Sequence, residues 1–562
     1  MKRYTIIFAI LLTLVLPVYA NDTLQREVTI VRDFTPTIRD AEKINTLPPI
    51  STPTFSRSSV SYAFDALATE ITTKPSYVAP YTSATKSEIV RYNGYANIDF
   101  GMNLAIAANA GYRILDTKSD QLGIAAQFTS INGNMPVNSN ALLIPESNTQ
   151  QIFYDFRSGL HYAHIFNNNI TAKLNGGYRY IDFNYYGVMG NAAQMGNHPF
   201  QHVHNFYAEV SVDNHEARNY DYELWNVTAG YKQYSNSNGV YTQQASNEHY
   251  AYIDASYSRM LTDHWYAGAD VELNYLHYNG LLSSTSIDNT TPNTANVFMA
   301  RLLPHALWSK DRMSFRAGVK IDISAGDNTI FRFAPDIRYN WEFIENYFLF
   351  ATIDGGKQLH TWNDMSQHCL YFNPSQRIPS TYTPFDGQLG VRLHIIPELT
   401  VTLYGGYEVA NGALFQQIDA SSQAIEWAAL DANCIKAGLD INANITQYVT
   451  ITADAAYRQW SDQNQQSITY NRPRWEANIG ITVRPLQQLD IKLDYNMQLE
   501  RDFGSYGKLA DIHNLQLFAQ YRVLDWMSIS LHGNNLLNHK YDYYFGLPAP
   551  GIQVMGGIAV NF

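Results

Sequence analysis

The sequence predicts an all-β fold, a transmembrane antiparallel β-barrel of about 22 strands. Three observations carry this. The chain ends in a strand with one apolar face, Ile552, Val554, Gly556, Ile558, Val560 and Phe562, alternating with Gln553, Met555, Gly557, Ala559 and Asn561. Segments with the same period of two, each about ten residues long, recur from Glu88 onward, long for a globular strand and suited to a tilted membrane-spanning one. The connections between them alternate between tight turns and longer polar loops.

The terminal strand stops at an aromatic residue and leaves no tail to shield an edge. It is satisfied if its neighbours are the preceding strand and the first strand of a closed barrel. The other segments follow the same rule. Leu489, Ile491, Leu493, Tyr495, Met497 and Leu499 alternate with Asp490, Lys492, Asp494, Asn496, Gln498 and Glu500. Leu399, Val401, Leu403, Tyr407 and Val409 alternate with Thr400, Thr402, Tyr404 and Glu408. Trp265, Ala267, Ala269, Val271, Leu273 and Tyr275 alternate with Tyr266, Gly268, Asp270, Glu272 and Asn274; Val449, Ile451, Ala453 and Ala455 alternate with Thr450, Thr452 and Asp454.

Tight turns are read at Phe166–Asn169, Leu261–His264, Ile344–Asn346, Ile396–Glu398, Arg484–Gln488 and Val523–Asp525. Longer polar loops are read at Gly133–Thr149, Gly187–Phe200, Gly280–Asn293, Thr361–Pro379, Asn411–Ala424 and Asn538–Pro548. A membrane barrel sorts its connections in this way, turns periplasmic and loops extracellular; a soluble sandwich or propeller has no reason to, and no repeat of fixed length supports a propeller. An even strand number places both termini in the periplasm.

Composition agrees. Mean hydropathy is −0.26, and no stretch after Leu16 is long and apolar enough for a spanning helix. A barrel gives the same average, because every second strand residue faces a polar lumen. The 41 Tyr and 26 Phe, against 38 Lys plus Arg, fit aromatic girdles at two interfaces. The net charge of −12 gives no reason to expect nucleic acid. Residues 1–20 read as a signal peptide: Lys2 and Arg3, an apolar core Ile6–Leu16, and a Val18-Tyr19-Ala20 cleavage site. Residues 21–87, with Pro36, Pro48, Pro49, Pro53, Pro75 and Pro80, read as an extended periplasmic or luminal segment, and residues 88–562 as the barrel. Cys369 and Cys434 are compatible with a bridge in an oxidising compartment, but two cysteines are no disulfide framework.

The closing region, Asn534-Asn-Leu-Leu-Asn-His-Lys-Tyr541 followed by Tyr544-Phe-Gly-Leu-Pro-Ala-Pro-Gly551 and the strand to Phe562, resembles the end of a TonB-dependent receptor barrel. The resemblance implies an outer-membrane protein. It gives Tyr541, Gly551, Ile558, Val560 and Phe562 the part of a signal read by the barrel assembly machinery. Glu27, Val28, Thr29, Ile30 and Val31 resemble the short motif such receptors present to TonB, although a strand tucked into the barrel's own mouth is the plainer reading of that run. The chain departs from the family in one respect: the 67 residues of 21–87 are too few for a plug domain and lack its glycine-rich pattern. In this it is similar to short, plug-poor receptor-like barrels of Bacteroidota.

Periodicity assigns Asp270, Glu272, Glu408, Asp454, Arg458, Asp490, Lys492 and Asp494 to the lumen, together with Lys173, Arg179, Glu209, Asp213 and Glu500. His198, His202 and His204 cluster, but Phe206, Ala208, Val210 and Val212 continue the face of His202 and His204, which places that pair near lipid headgroups. No phosphate loop, zinc-ligand spacing or nucleophile motif occurs, so neither an enzyme nor a cofactor is expected. The expected function is passage of a solute across the outer membrane, its partners being membrane lipid, the assembly machinery and TonB or another periplasmic or outer-membrane protein. The alternative is a non-transporting barrel subunit of an outer-membrane complex. A barrel this wide without a plug needs something to close it.

Overall fold

The computed structural model describes residues 92–562, apart from 136–148, 167–169, 188–199, 215–222, 239–244, 282–292, 327–330, 375, 419–424, 463–466, 469 and 505–506. The strands begin with β1 (Gly94–Gly101), β2 (Ala105–Asp116), β3 (Asp120–Met135), β4 (Thr149–Ile165), β5 (Thr171–Asn184), β6 (Phe200–Asp213) and β7 (Glu223–Asn236). They continue with β8 (Ser246–Thr262), β9 (Trp265–Leu281), β10 (Asn293–Lys310), β11 (Met313–Ala325), β12 (Phe331–Ile344) and β13 (Tyr347–Gln358). Next come a short helix α1 (Trp362–His368), β14 (Thr381–Ile396), β15 (Leu399–Ile418), β16 (Ile425–Thr446), β17 (Val449–Ser461) and the two-residue β18 (Ser467–Ile468). The chain closes with β19 (Trp475–Leu486), β20 (Leu489–Leu499), β21 (Ile512–Leu524), β22 (Met527–Asn534), the small pair β23 (Asp542–Tyr544) and β24 (Leu547–Pro548), and β25 (Gln553–Asn561).

Each strand pairs antiparallel with its sequence neighbours, and β25 pairs with β1, so 22 of them form a closed barrel. β18 only extends the end of β17, and β23–β24 lie outside the ring. The count and the closure agree with the sequence. Closure is made where it is expected: the Phe562 carbonyl accepts from the N–H groups of Asn93 and Gly94 at 2.9 and 2.8 Å, and Ile558 stands opposite Ile98 on one side and Ile529 on the other.

One end of the barrel is built from tight turns. Asp263–His264, Asp311–Arg312, Glu345–Asn346, Pro397–Glu398, Gln447–Tyr448, Gln487–Gln488 and Asp525–Trp526 each join two strands with two residues. Asp311 and Asn346 take φ of 50° and 69°, the left-handed backbone that such turns require and that Asp and Asn tolerate best. The other end carries most of the longer connections, and there a three-residue turn, Met102–Leu104, joins β1 to β2.

The two faces of the wall differ as the period of two demands. The outer face is apolar, with exposed Ile98, Ile253, Leu302, Leu403, Leu493 and Ile529 in its band. Aromatic side chains border the band, Tyr178, Phe206, Tyr231, Tyr275 and Phe298 toward the long-loop end, and Trp265, Trp341, Tyr448 and Trp526 toward the turns. An apolar band with two aromatic girdles is the surface of a membrane-spanning barrel. On the inner face, Tyr404 lies directly opposite Gly438 and Tyr95 opposite Gly111, each ring filling the space where a Cβ would stand.

Candidate functional site: the inner wall and its cap

The inner face carries charge in a nearly continuous lattice. Asp270 and Glu272 lie on β9; Asp270 receives Arg316 at 3.3 Å and Glu272 receives Arg301 at 3.0 Å. Glu408 on β15 shares Lys436 with Asp386, at 3.3 and 2.5 Å. On β17, Asp454 accepts from the Asn478 amide at 2.8 Å and Arg458 pairs with Glu476. On β20, Asp490 receives Arg484 at 2.8 Å, and Lys492 pairs with Asp494 at 2.9 Å. Lys173 pairs with Asp213 at 2.9 Å, Arg179 with Asp155 at 2.8 Å, and Asn175 reaches Glu209 at 3.2 Å. Glu500 follows β20 and pairs with Arg474 at 2.5 Å. These residues form a lining spread over the wall rather than a single centre. Each of these cations meets a carboxylate, and several carboxylates share one cation, which leaves a wall that is polar, wettable and net acidic.

His202 and His204 lie on the outer face, beyond the aromatic border. Tyr180 Oη is 3.2 Å from His202 Nδ1, Asp182 is 3.3 Å from the same ring, and Tyr178 Oη is 2.7 Å from His204 Nδ1. His198 is outside the described residues. Among the described residues no group of three His, Cys, Asp or Glu side chains is arranged to hold a metal.

The segment between β13 and β14 is where the structure departs most from the sequence reading. Its composition reads as a polar loop, yet it folds inward as a cap. Thr361 caps α1 by accepting from the Asp364 N–H at 3.1 Å. The backbone N–H of Trp362 donates to the Glu248 carboxylate on β8 at 2.5 Å, and the Trp362 indole N–H donates to the Gln376 carbonyl at 2.8 Å. Trp362 is fully buried between Tyr278 of β9 and Tyr234 of β7, with ring centroids 5.0 and 6.4 Å away. Tyr371 packs on Phe183 of β5 and accepts from Gln151 of β4 at 3.3 Å. Asn205 of β6 donates to Asn363 at 3.2 Å.

On its other side the cap joins the overhanging tip of β15–β16. The Asn373 N–H donates to the Ile425 carbonyl at 2.8 Å, and Gln376 exchanges hydrogen bonds with the Trp427 backbone at 2.9 and 3.0 Å. Tyr544 donates to the His368 carbonyl, and Tyr186 to the Pro548 carbonyl at 3.2 Å. A segment anchored between β13 and β14 reaches β4, nine strands away in a ring of 22, by crossing the mouth of the barrel. The sequence carried one usable signal, the apolar run of Trp362, Met365, Tyr371, Phe372 and Ile378 in an otherwise polar stretch.

Burial shifts the titratable groups of this cap. His360, whose Nε2 lies 2.8 Å from Thr381 Oγ1, is pulled down to about 4 by burial, with His368 and Arg472 adding repulsion. Burial pushes the Cys369 thiol up to about 12. Cys369 and Cys434 are both free, and they sit in different apolar clusters, so no bridge forms between them. A second tie closes the β22–β25 connection. The buried Arg501 guanidinium donates to the carbonyls of Ala510, Asp542 and Tyr543 at 3.0, 2.8 and 2.7 Å. Burial lowers its pKa to about 10 and raises that of Asp542 to about 6. Tyr541 is buried in this connection against Ile512 and Ala549; Gly551 lies just before β25, and Ile558, Val560 and Phe562 are on the closing strand or at its end.

No family model matches the sequence, and no curated protein matches it. Solved structures do. The chain is similar to the siderophore receptor PirA from Acinetobacter baumannii, with a TM-score of 0.63 at 10% identity over 84% of this chain and 80% of that one. It is similar to the copper transporter OprC, with a TM-score of 0.60 at 12% identity and the same coverage. A ferric enterobactin receptor (PfeA) variant from Pseudomonas aeruginosa gives a TM-score of 0.62 at 10% identity over the same shares. The chain shares the receptor barrel fold. At these identities the likeness is one of architecture, and it agrees with the TonB-dependent-receptor-like barrel that the closing motif of the sequence implies.

Proposed function

We propose that the chain is an outer-membrane barrel that passes a solute across that membrane, with the cap and long loops outside and both termini periplasmic. The observation that carries this reading is the combination of a charged inner wall with a mouth spanned by a segment of the wall's own chain. Asp270, Glu272, Glu408, Asp454, Arg458, Asp490, Lys492 and Asp494 line the path in this reading, and the cap controls entry to it. The similar structures are described as siderophore receptors and a copper transporter, which supports uptake as the class of activity without lending this chain their cargo. Passage of this kind needs no catalytic group and no cofactor.

The segment before the barrel lies outside the described residues. We assign Glu27–Val31 to a contact with TonB or another periplasmic protein, on the sequence motif alone, with the assembly machinery reading the closing strand. The packed core of the cap favours a second reading, a non-transporting barrel subunit of an outer-membrane complex, because a well-filled core is costly to displace. Flux into vesicles separates the two. Full-length protein is compared with a variant in which Thr361–Pro379 is replaced by a short Gly–Ser linker, using neutral and charged sugars of graded size. Entry after cap removal supports the transport reading. Impermeability that persists after both the cap and residues 21–87 are removed contradicts it and favours the subunit.

A further inference from the structure

The wall of the barrel is far from level. β15 and β16 run for 20 and 22 residues, whereas β1, β22 and β25, which form the seam, have 8, 8 and 9. At about 3.3 Å per residue and a tilt near 40°, eight residues raise the wall by roughly 18 Å, against an apolar band of about 25 Å. The seam is fixed at the turn end, where Phe562 stacks on Tyr112 with centroids 6.2 Å apart. Its top therefore stops short of the far boundary of the apolar layer.

The chemistry of the top matches that height. Phe100, Met102 and Leu104 are 56, 51 and 71% exposed. Asn103, the polar residue of the turn, packs its side chain over Gly133 on the inner face, so the side chains the turn offers to the outside are Met102 and Leu104, and the Ala105 N–H closes the turn onto the Met102 carbonyl. Leu537 and Ile552 on the neighbouring connection, and Val554 at the start of β25, continue the apolar rim. Elsewhere the outer face turns polar above the aromatic border: His202, His204, Gln233, His249, His277 and Asn296 stand there on β6–β10. The turn also holds Asn103 and Leu104 at φ of 56° and 46°, and a leucine in left-handed backbone is unfavourable. Water offers nothing to offset that strain for an apolar tip; hydrocarbon does.

We propose that the β1–β2 turn is a membrane-inserted tip, its Met102 and Leu104 side chains immersed in the acyl chains of the leaflet at the long-loop end. The acyl layer is assigned as occupant because the tip is continuous with the lipid-facing band of β1, β2 and β25. The bilayer dips at the seam to meet it, as a short hydrophobic wall demands.

The test uses full-length protein in dimyristoylphosphatidylcholine vesicles, nitroxide-labelled at Met102→Cys, with Asn296→Cys and Ile558→Cys as water-side and mid-band references. Both native cysteines are buried, so labelling is selective. Power saturation with oxygen and a water-soluble nickel chelate reads depth. The label at 102 is expected to match that at 558, severalfold more accessible to oxygen than to nickel, and to gain nickel access in thinner didecanoyl vesicles. A 102 label that matches 296 overturns the proposal. So does one shielded from both relaxants regardless of lipid length, since the tip would then be covered by protein.

Discussion

Trp362 donates its backbone N–H to the Glu248 carboxylate at 2.5 Å, and that contact couples the cap to the wall. The same indole sits between Tyr234 and Tyr278, so the first turn of α1 is fixed by both hydrogen bonding and packing. Trp362→Ala removes a fully buried side chain, a change that costs about 3–5 kcal/mol where the site cannot collapse. The barrel strands do not depend on this contact. Limited proteolysis is expected to cut the variant within 361–379 while its heat-modifiable migration stays native. A variant as protease-resistant as the parent would mean that the cap is held by other contacts.

Acid is expected to loosen the cap. The sign follows from His360, whose folded pKa of about 4 lies below its unfolded value of 6.5. At His360 the folded cap binds fewer protons, so this residue's contribution is full above about pH 6.5 and falls as pH drops toward 4. Glu248, whose carboxyl burial pushes up to about 8, contributes with the opposite sign, so the His360 contribution is read as the difference from a His360 variant. The loss approaches about 3 kcal/mol at the lower limit. Burial is the main cause, and His368 and Arg472 add to it. Protease sensitivity of 361–379 should rise between pH 6.5 and 4. His360→Asn, which keeps a partner for Thr381, should flatten that profile. An unchanged profile would assign the acid response to another group.

Facing is tested on β20. Leu493 is exposed on the outer band, whereas Asp494 pairs with Lys492 on the inner wall. Leu493→Arg is expected to destabilise insertion by about 2–4 kcal/mol near the midplane, and Asp494→Asn to be nearly neutral. The measurement is the folded fraction in vesicles across a urea series. The reverse ranking would require a one-residue shift that exchanges every face of the strand.

Phe562 provides the last backbone pairing of the seam and an aromatic stack on Tyr112. Deletion of Phe562, or Phe562→Asp, is expected to reduce the amount of heat-modifiable barrel in outer-membrane fractions. Normal yield of both variants would remove the terminal residue from any assembly signal.

The strands were legible because the period of two is a local property, written residue by residue in runs such as Leu489–Leu499. Five tight turns, at Leu261–His264, Ile344–Asn346, Ile396–Glu398, Arg484–Gln488 and Val523–Asp525, are legible as breaks between such runs; Asp311–Arg312 and Gln447–Tyr448 are not, and the expected turn at Phe166–Asn169 falls on 167–169, outside the described residues. The cap was not legible. Trp362, Met365, Tyr371 and Phe372 have no regular spacing, and their partners on β4 to β9 are supplied by closure of the ring, which no local pattern encodes. The long overhang of β15 and β16 was read as loop from Asn411, since its residues pack on the cap and abandon the simple alternation. Met102–Leu104 was hidden by its brevity. The inner-wall charges are visible as a face but mostly not as pairs, because most partners lie on another strand; Lys492 and Asp494, both on β20, are the exception among the named pairs.

In the proposed function the β13–β14 segment closes this barrel, which conducts when that segment is removed. Planar-bilayer conductance tests it most directly on three proteins: full length, a truncation of 21–87, and replacement of Thr361–Pro379 by a Gly–Ser linker. Cap replacement is expected to raise conductance severalfold over the full-length protein, whether or not 21–87 is present. Low conductance from the cap-replaced protein, with a rise only after 21–87 is removed, would contradict it and make the N-terminal segment the closure.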